Sequence, residues 1–334
     1  MIFCRKIPQM KFTYSLILTV LFLSIHSLIY SQNTGCKEWY LKTADSLDIF
    51  VKETGQGRDT VIMVHGGFGA NHEYLTDITN GLNDQFHFIL YDQRGSLLSP
   101  SNKEKLLFGR NVEDLYKLIN ELNISRANLF CHSMGTLVGM EFAERYPHRV
   151  KNLVLCASLP LKSEGIDDIF NSRYKQQVQF LQERDSVRQL LAPYLNKQGP
   201  DSSQIRYYNY QSELSDREQT ELWRIQFASV NIYDISKWRK VKGGRAYYKQ
   251  EAAKMANSVN WRYDYRKTLN SGMRTSVIMG DHDFVDFHGQ NLKQQVLNYK
   301  NIEIEIIEDA GHNIWIDQPA LFQKVFINLF KDKF

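Results

Sequence analysis

The 334-residue chain has only 7 prolines and 4 cysteines, and its 41 Lys and Arg against 37 Asp and Glu leave it with little net charge. Each shortage excludes something. Few prolines in a composition that is 43% hydrophobic and 13% aromatic exclude a disordered or collagen-like chain. Four cysteines are too few for a disulfide scaffold. Four surplus positive charges over this length do not make the basic stripe of a nucleic-acid binder, so no nucleic-acid partner is expected. Internal repeats and low-complexity segments are also missing. What remains is a globular protein with room for one large domain or two smaller ones.

Acidic residues are absent before Glu38. Arg5, Lys6 and Lys11 lead into an apolar run over 15–29, and polar Ser31, Gln32 and Asn33 follow, which is the order of a secretory signal. Residues 1–31 are therefore expected to be a signal peptide and the mature chain to be secreted or periplasmic. The alternative is a membrane anchor at the N-terminus, although the run falls short of the ~20 apolar residues of a span and His26 interrupts it. Lipidation of Cys36 is a second route to an anchor. Cys131 and Cys156 each close a strand-like run and read as buried thiols, so no disulfide is expected.

Strand-like and helical segments alternate along most of the chain. Strands are predicted at 60–64, 87–91, 127–131, 150–156, 275–279 and 302–307. Helices are predicted near 73–82, over 112–122, from Met134 to before Pro147, near 288–299 and at the C-terminus. In the second helix the apolar residues Val112, Leu115, Tyr116, Leu118, Ile119 and Leu122 recur at helical spacing. Pro319 suits the first turn of the last helix, where Leu321, Phe322, Val325, Phe326, Leu329 and Phe330 make one apolar stripe. Short buried strands alternating with helices indicate an α/β fold around a mostly parallel sheet with helices on both faces. The runs 38–42 and 47–51 read as an antiparallel hairpin at the sheet edge. Between 160 and 268 the alternation stops. This stretch holds 10 of the 18 tyrosines, together with Trp223, Trp238 and Trp261, and reads as an inserted helical cap without confident strands. The expected organisation is a core of 32–159 and 269–334 carrying a cap of 160–268.

The sharpest motif is Phe130-Cys-His-Ser-Met-Gly-Thr136, placed where a strand ends and a helix begins. A nucleophile elbow needs small residues two before and two after its serine because the turn is tight and strained. Gly135 meets that need, and Cys131 stands at the other position. A serine hydroxyl needs a histidine to take its proton and a carboxylate to orient that histidine. Both appear after later strands, in the order serine, acid, histidine. Asp283 follows the strand at 275–279 and His312 follows the strand at 302–307; Asp281 and Asp286 are rival acids. His65-Gly-Gly-Phe-Gly69 follows the first central strand. Its glycines allow the amide of Gly67 or Phe68 to join that of Met134 in an oxyanion hole. Neither a dinucleotide fingerprint nor a Gly-Lys-Ser/Thr follows that loop, and His282 with its neighbouring aspartates lacks zinc-type spacing, so no cofactor or metal is expected. Asp92 and Arg94, in Asp92-Gln-Arg-Gly95, are expected to brace the loops under the site.

Together these residues resemble the α/β-hydrolase superfamily over nearly the whole chain outside the cap. The pair His65-Gly-Gly and Asp92-Gln-Arg-Gly looks like the proline iminopeptidase branch, which carries HGGPG and DQRG in these places. The resemblance implies a serine triad of Ser133, Asp283 and His312, a helical cap that selects a small-molecule or short-peptide substrate, and cap acids that bind a free amino terminus. Glu213, Glu218 and Glu221 are available for that last role. Two departures point elsewhere: Phe68 replaces the proline, and the Ser-Met-Gly elbow is more usual in esterases and related carbon–carbon or lactone hydrolases. The cap's 19 Lys and Arg against 13 Asp and Glu also lean towards neutral or anionic substrates. The expectation is a serine hydrolase of the peptidase-like kind, with a carboxylesterase or lactonase as the alternative and a non-catalytic binding protein on the same fold as a third reading.

Overall fold

The structure is a computed structural model that describes residues 35–195, 214–243 and 250–330. The segment expected to be a signal, 1–31, lies outside the described residues, as does Glu213. Ten strands run in chain order: β1 (Cys36–Lys42), β2 (Asp48–Thr54), β3 (Asp59–Val64), β4 (Phe86–Tyr91), β5 (Ala127–His132), β6 (Val150–Cys156), β7 (Lys162–Glu164), β8 (Arg262–Asp264), β9 (Arg274–Gly280) and β10 (Ile302–Ile307). Eight of them form one sheet in the order β1-β2-β4-β3-β5-β6-β9-β10. β1 and β2 pair antiparallel, as do β2 and β4, and every later pairing is parallel.

Burial follows position in the sheet. Central β5 is buried at every residue, as a strand covered on both faces must be. Edge strand β10 instead alternates, exposing Glu303 and Glu305, and this charge discourages further pairing along its free edge.

The longer helices are α1 (Phe108–Glu121), α2 (Gly135–Arg145), α3 (Ser172–Gln182), α4 (Asp185–Leu195), α5 (Asp216–Asn231), α6 (Gln290–Val296) and α7 (Pro319–Phe330). Leu115, Leu118 and Ile119 of α1 and Leu137 and Val138 of α2 pack one face of the sheet. Helix α7 covers the other, where Phe326 meets Phe86, Phe88 and Phe130 at ring-centroid distances of 5.6, 5.9 and 5.4 Å. Offset and edge-on aromatic contacts of this kind add roughly 0.5–1.5 kcal/mol per pair beyond area burial.

Three local expectations change. The helix expected near 73–82 is two single turns, His72–Leu75 and Thr76–Thr79, because Asn71 caps the first through its side chain and Gly81 turns left-handed just after the second. The helix expected near 288–299 starts at Gln290 and ends at Val296, since His288 and Gly289 both have positive φ. The insertion also contains strands: β7 and β8 pair antiparallel and tie its two ends together. Three-residue strands carry too short an alternation to be seen in sequence.

Candidate active site

The chain leaves β5 and enters α2 through Ser133, whose φ of +53° is a left-handed conformation that non-glycine residues seldom adopt. The Ser133 N–H donates to the Cys156 carbonyl at 3.0 Å, and its own carbonyl accepts from the amide and the hydroxyl of Thr136 at 2.8 and 2.6 Å, which holds the strained turn in place. A Cβ on Gly135 would sit 2.5 Å from the His65 carbonyl oxygen, so a side chain there would force apart the elbow and the strand end beside it. Cys131 is accommodated by a second glycine. The Cβ of a residue at 139 would lie 2.5 Å from the Cys131 sulfur, so the thiol fills space left by Gly139 one turn into the helix. Cys131, Cys156 and Cys36 are all free, the first two buried and Cys36 exposed.

Asp283 and His312, from the turns after β9 and β10, meet in the interior. His312 Nδ1 lies 2.9 and 3.1 Å from the two Asp283 carboxylate oxygens, and the Val285 amide donates to the same carboxylate at 2.9 Å. A carboxylate only accepts, so Nδ1 carries the proton and Nε2 keeps its lone pair. The rival acids are occupied elsewhere: Asp281 accepts from His282 Nδ1 and the Ala310 amide, and Asp286 accepts from the amides of Asn291 and Leu292. Ser133 and His312 line one cavity, and among the described residues the Ser133 hydroxyl makes no hydrogen bond.

Gly67, Phe68 and Met134 line the same cavity, and no hydrogen bond engages their N–H groups among the described residues. The Gly66 carbonyl is held at 2.9 Å by His65 Nδ1. In a trans peptide the carbonyl and the following N–H point in opposite directions, so this bond turns the Gly67 N–H away from His65. The Gln93 amide donates to His65 Nε2 at 3.0 Å, which leaves the proton on Nδ1. Burial holds the His65 imidazole down at about 4 and keeps it neutral.

That burial gives the fold an acid sensitivity with a defined sign. An unfolded histidine takes up its proton near pH 6.5 while folded His65 does so only near 4, so stability falls as pH drops between those values. Urea unfolding is expected to show roughly 2 kcal/mol less stability from this group at pH 5 than at pH 7. The His65→Asn variant should show the smaller difference, and an equal pH effect in both proteins would contradict the assignment.

The Asp92 to Gly95 turn lies below. Asp92 accepts from the backbone and ring of His72 at 2.9 and 2.8 Å and from the Leu98 amide at 3.0 Å. Arg94 makes a two-pronged contact with Asp114, both bonds 2.8 Å, and reaches Asp45 at 3.0 Å and the Lys105 carbonyl at 2.9 Å. The hairpin loop, α1 and the Lys105 turn are thereby held by one buried guanidinium, the bracing role that the sequence suggested.

The cavity has a volume of about 420 Å³, with the inserted segment as one wall. Trp223 and Phe227 of α5 stack at 5.0 Å and line it with Phe170, Phe284, Val285 and Ile316. Trp238 packs in the core instead, and Trp261 lies edge-on to Phe170. Among the described lining residues the one carboxylate is Asp77, paired with Lys242 at 2.8 Å. Glu218 closes a capping box with Ser215, while Glu221 bonds Tyr194 and Arg217, and neither lines the cavity. Asp317 fastens the wall to the histidine loop by accepting from the amides of Gly311, Tyr233 and Asp234 at 2.9, 2.8 and 3.0 Å. Among the described residues no cluster of three or more His, Cys, Asp or Glu could hold a metal ion.

Sequence reasoning missed three residues at this site: Asp317, Tyr74 and His132. His132, a ring with two polar atoms after the apolar run Leu129-Phe-Cys131, was the visible signal for one of them. Tyr74 and Asp317 had none, because each also binds a partner far along the chain, His132 for Tyr74 and Tyr233 and Asp234 for Asp317.

The sequence model of the family described as alpha/beta hydrolase fold matches residues 59–319. A 2-hydroxy-6-oxononadienedioate/2-hydroxy-6-oxononatrienedioate hydrolase of Pseudomonas putida is 30% identical over 146 residues, 39% of this chain and 50% of that protein. A proline iminopeptidase of Clostridium botulinum is 28% identical over 116 residues, 34% of this chain and 40% of that protein. The chain thus spans half the length of these curated relatives or less. An esterase structure from Exiguobacterium antarcticum superposes with a TM-score of 0.59 at 17% identity, covering 89% of this chain and all of that one.

Proposed function

Because the chain belongs to the alpha/beta hydrolase fold family, we propose that its hydrolytic chemistry is that of a serine hydrolase acting on esters with a neutral, largely apolar acyl group. In this reading Ser133 Oγ attacks the carbonyl carbon and its proton passes to His312 Nε2, while Asp283 holds the ring and stabilises the imidazolium. The carbonyl oxygen becomes an oxyanion facing the Met134 N–H and that of Gly67 or Phe68. Collapse expels the alcohol, which takes the proton from His312 and leaves an acyl-Ser133. Water, deprotonated by the same histidine, then releases the acid.

The observation that carries the ester reading over the aminopeptidase reading is the charge of the cavity wall. A free α-ammonium desolvated among Trp223, Phe227 and Phe284 needs a carboxylate partner, and the one carboxylate among the described lining residues is already paired with Lys242. The test sets short p-nitrophenyl esters beside a prolyl amide with its amine free and with it blocked, and adds labelling by a fluorophosphonate probe. Esters are expected to be cleaved, the two amides to differ little, and the label to be lost in Ser133→Ala. A strong preference for the free-amine amide would overturn the ester assignment. An unlabelled wild-type protein would overturn the serine-hydrolase reading itself.

A further inference from the structure

We propose that Tyr74 and His132 are positioning residues that join the oxyanion loop to the general base through one buried chain of hydrogen bonds. The inference rests on the serine-hydrolase reading and adds a part that the triad does not contain. The Gly66 N–H donates to the Tyr74 hydroxyl oxygen at 2.6 Å, and that oxygen lies 2.9 Å from His132 Nδ1. At the far side of the ring, His132 Nε2 lies 3.1 Å from the backbone carbonyl oxygen of His312.

The protons along this chain have one consistent arrangement. A carbonyl oxygen only accepts, so His132 Nε2 bears the hydrogen and donates it to His312. Nδ1 of the neutral ring is then an acceptor, and the Tyr74 hydroxyl donates to it while accepting from Gly66. Three groups that must be aligned for acyl transfer are thereby linked: the peptide that opens the oxyanion loop, the residue preceding Ser133, and the backbone of the base. His312 is held at two points, its ring by Asp283 and its carbonyl by His132.

His132 is suited to this place only as a neutral ring. It is buried, and burial first, then the neighbouring His312, hold its basicity well below the ordinary histidine range. The two imidazoles are 4.7 Å apart, and a charged His132 would oppose the imidazolium that forms on His312 during catalysis. The packing around the chain leaves little room for either ring to turn. His132 meets Trp315 edge-on at 5.0 Å, and Tyr74 stacks on the same indole at 6.0 Å.

A purely structural role would be met by packing alone, and Tyr74→Phe separates the two, because it keeps the ring and removes both of its hydrogen bonds. In Tyr74→Phe, kcat for a p-nitrophenyl ester is expected to fall 10- to 100-fold with KM changed less than twofold, and fluorophosphonate labelling of Ser133 to slow by a similar factor. A melting temperature within a few degrees of wild type would show that the loss is not unfolding. His132→Gln keeps a donor near the Nε2 position and is expected to retain at least tenfold more activity than His132→Leu. Unchanged kcat in Tyr74→Phe, or equal activity of the Gln and Leu variants, would overturn the proposal. Failure of the wild-type protein to label would instead count against the hydrolase reading, which keeps the two results distinct.

Discussion

Alanine at Ser133 is expected to lower kcat for an activated ester by on the order of 10⁶-fold, and alanine at His312 to do the same. The two losses should not add. A nucleophile without its base and a base without its nucleophile fail at the same step, so the double variant is expected to sit within a few-fold of either single one. Asparagine at Asp283 should cost less, about 10⁴-fold, and for a different reason. The amide preserves the shape but can present a donor to His312 Nδ1, which favours the tautomer with its proton on Nε2, where the Ser133 proton has to go. Residual activity in all three should exceed the uncatalysed rate, because the amides of Met134 and of Gly67 or Phe68 remain available to a bound carbonyl. Steady-state kinetics with active-site titration checks the series. A Ser133→Ala protein that keeps more than a hundredth of wild-type kcat, after contaminating activity has been excluded, would remove Ser133 from the mechanism.

Methionine at Arg94 is expected to destabilise the fold by about 3–5 kcal/mol, the usual result of removing one partner from a buried ion pair. The guanidinium is 1% exposed and joins Asp114, Asp45 and the Lys105 carbonyl. Burial already pushes the Asp114 carboxyl above the ordinary carboxylate range against the pull of Arg94, so without Arg94 that push is unopposed. A folded-state pKa raised further favours the variant as pH falls, because the folded protein then holds the proton more tightly than the unfolded chain does. The stability gap between wild type and Arg94→Met should therefore narrow between pH 7 and pH 5. Adding Asp114→Asn to Arg94→Met should recover part of the loss, since it removes the stranded charge. Urea unfolding of the four proteins of this cycle measures the coupling. Strict additivity of the two substitutions would mean that Arg94 stabilises by packing rather than by charge.

The site and the frame around it were unequally legible, and the difference follows the range of the interactions. Strands β3 to β6 show as short apolar runs because most of each strand is buried on both faces, so apolar residues follow one another without alternation. The elbow at Ser133 shows because a left-handed residue in a tight turn demands small neighbours within two positions. The order of Ser133, Asp283 and His312 could be placed at one edge without coordinates, because parallel strands all end on the same side of a sheet. These are local rules, and one sequence is enough to apply them.

Choosing Asp283 over Asp281 and Asp286 was another matter. All three follow β9 within six residues, and what separates them is where the amides of Ala310, Asn291 and Leu292 fall, which the chain decides only on folding. The same holds for the cavity wall. Residues 160–268 show their aromatic content in sequence, but not that Trp223 faces the cavity while Trp238 faces the core, because their helical segments are set by packing rather than by pattern. Tyr74, His132 and His312 make the point most plainly: 58 residues separate the first pair and 180 the second. Sequence by itself determined the strand pattern, the elbow motif and the chain order of Ser133, Asp283 and His312, through periodicity and turn geometry that act over a few residues. Tertiary structure alone decided what occupies the rival carboxylates Asp281 and Asp286, which wall lines the cavity and which hydrogen-bonded partners surround it, because a hydrogen bond needs its donor and acceptor within about 3 Å whatever their separation along the chain.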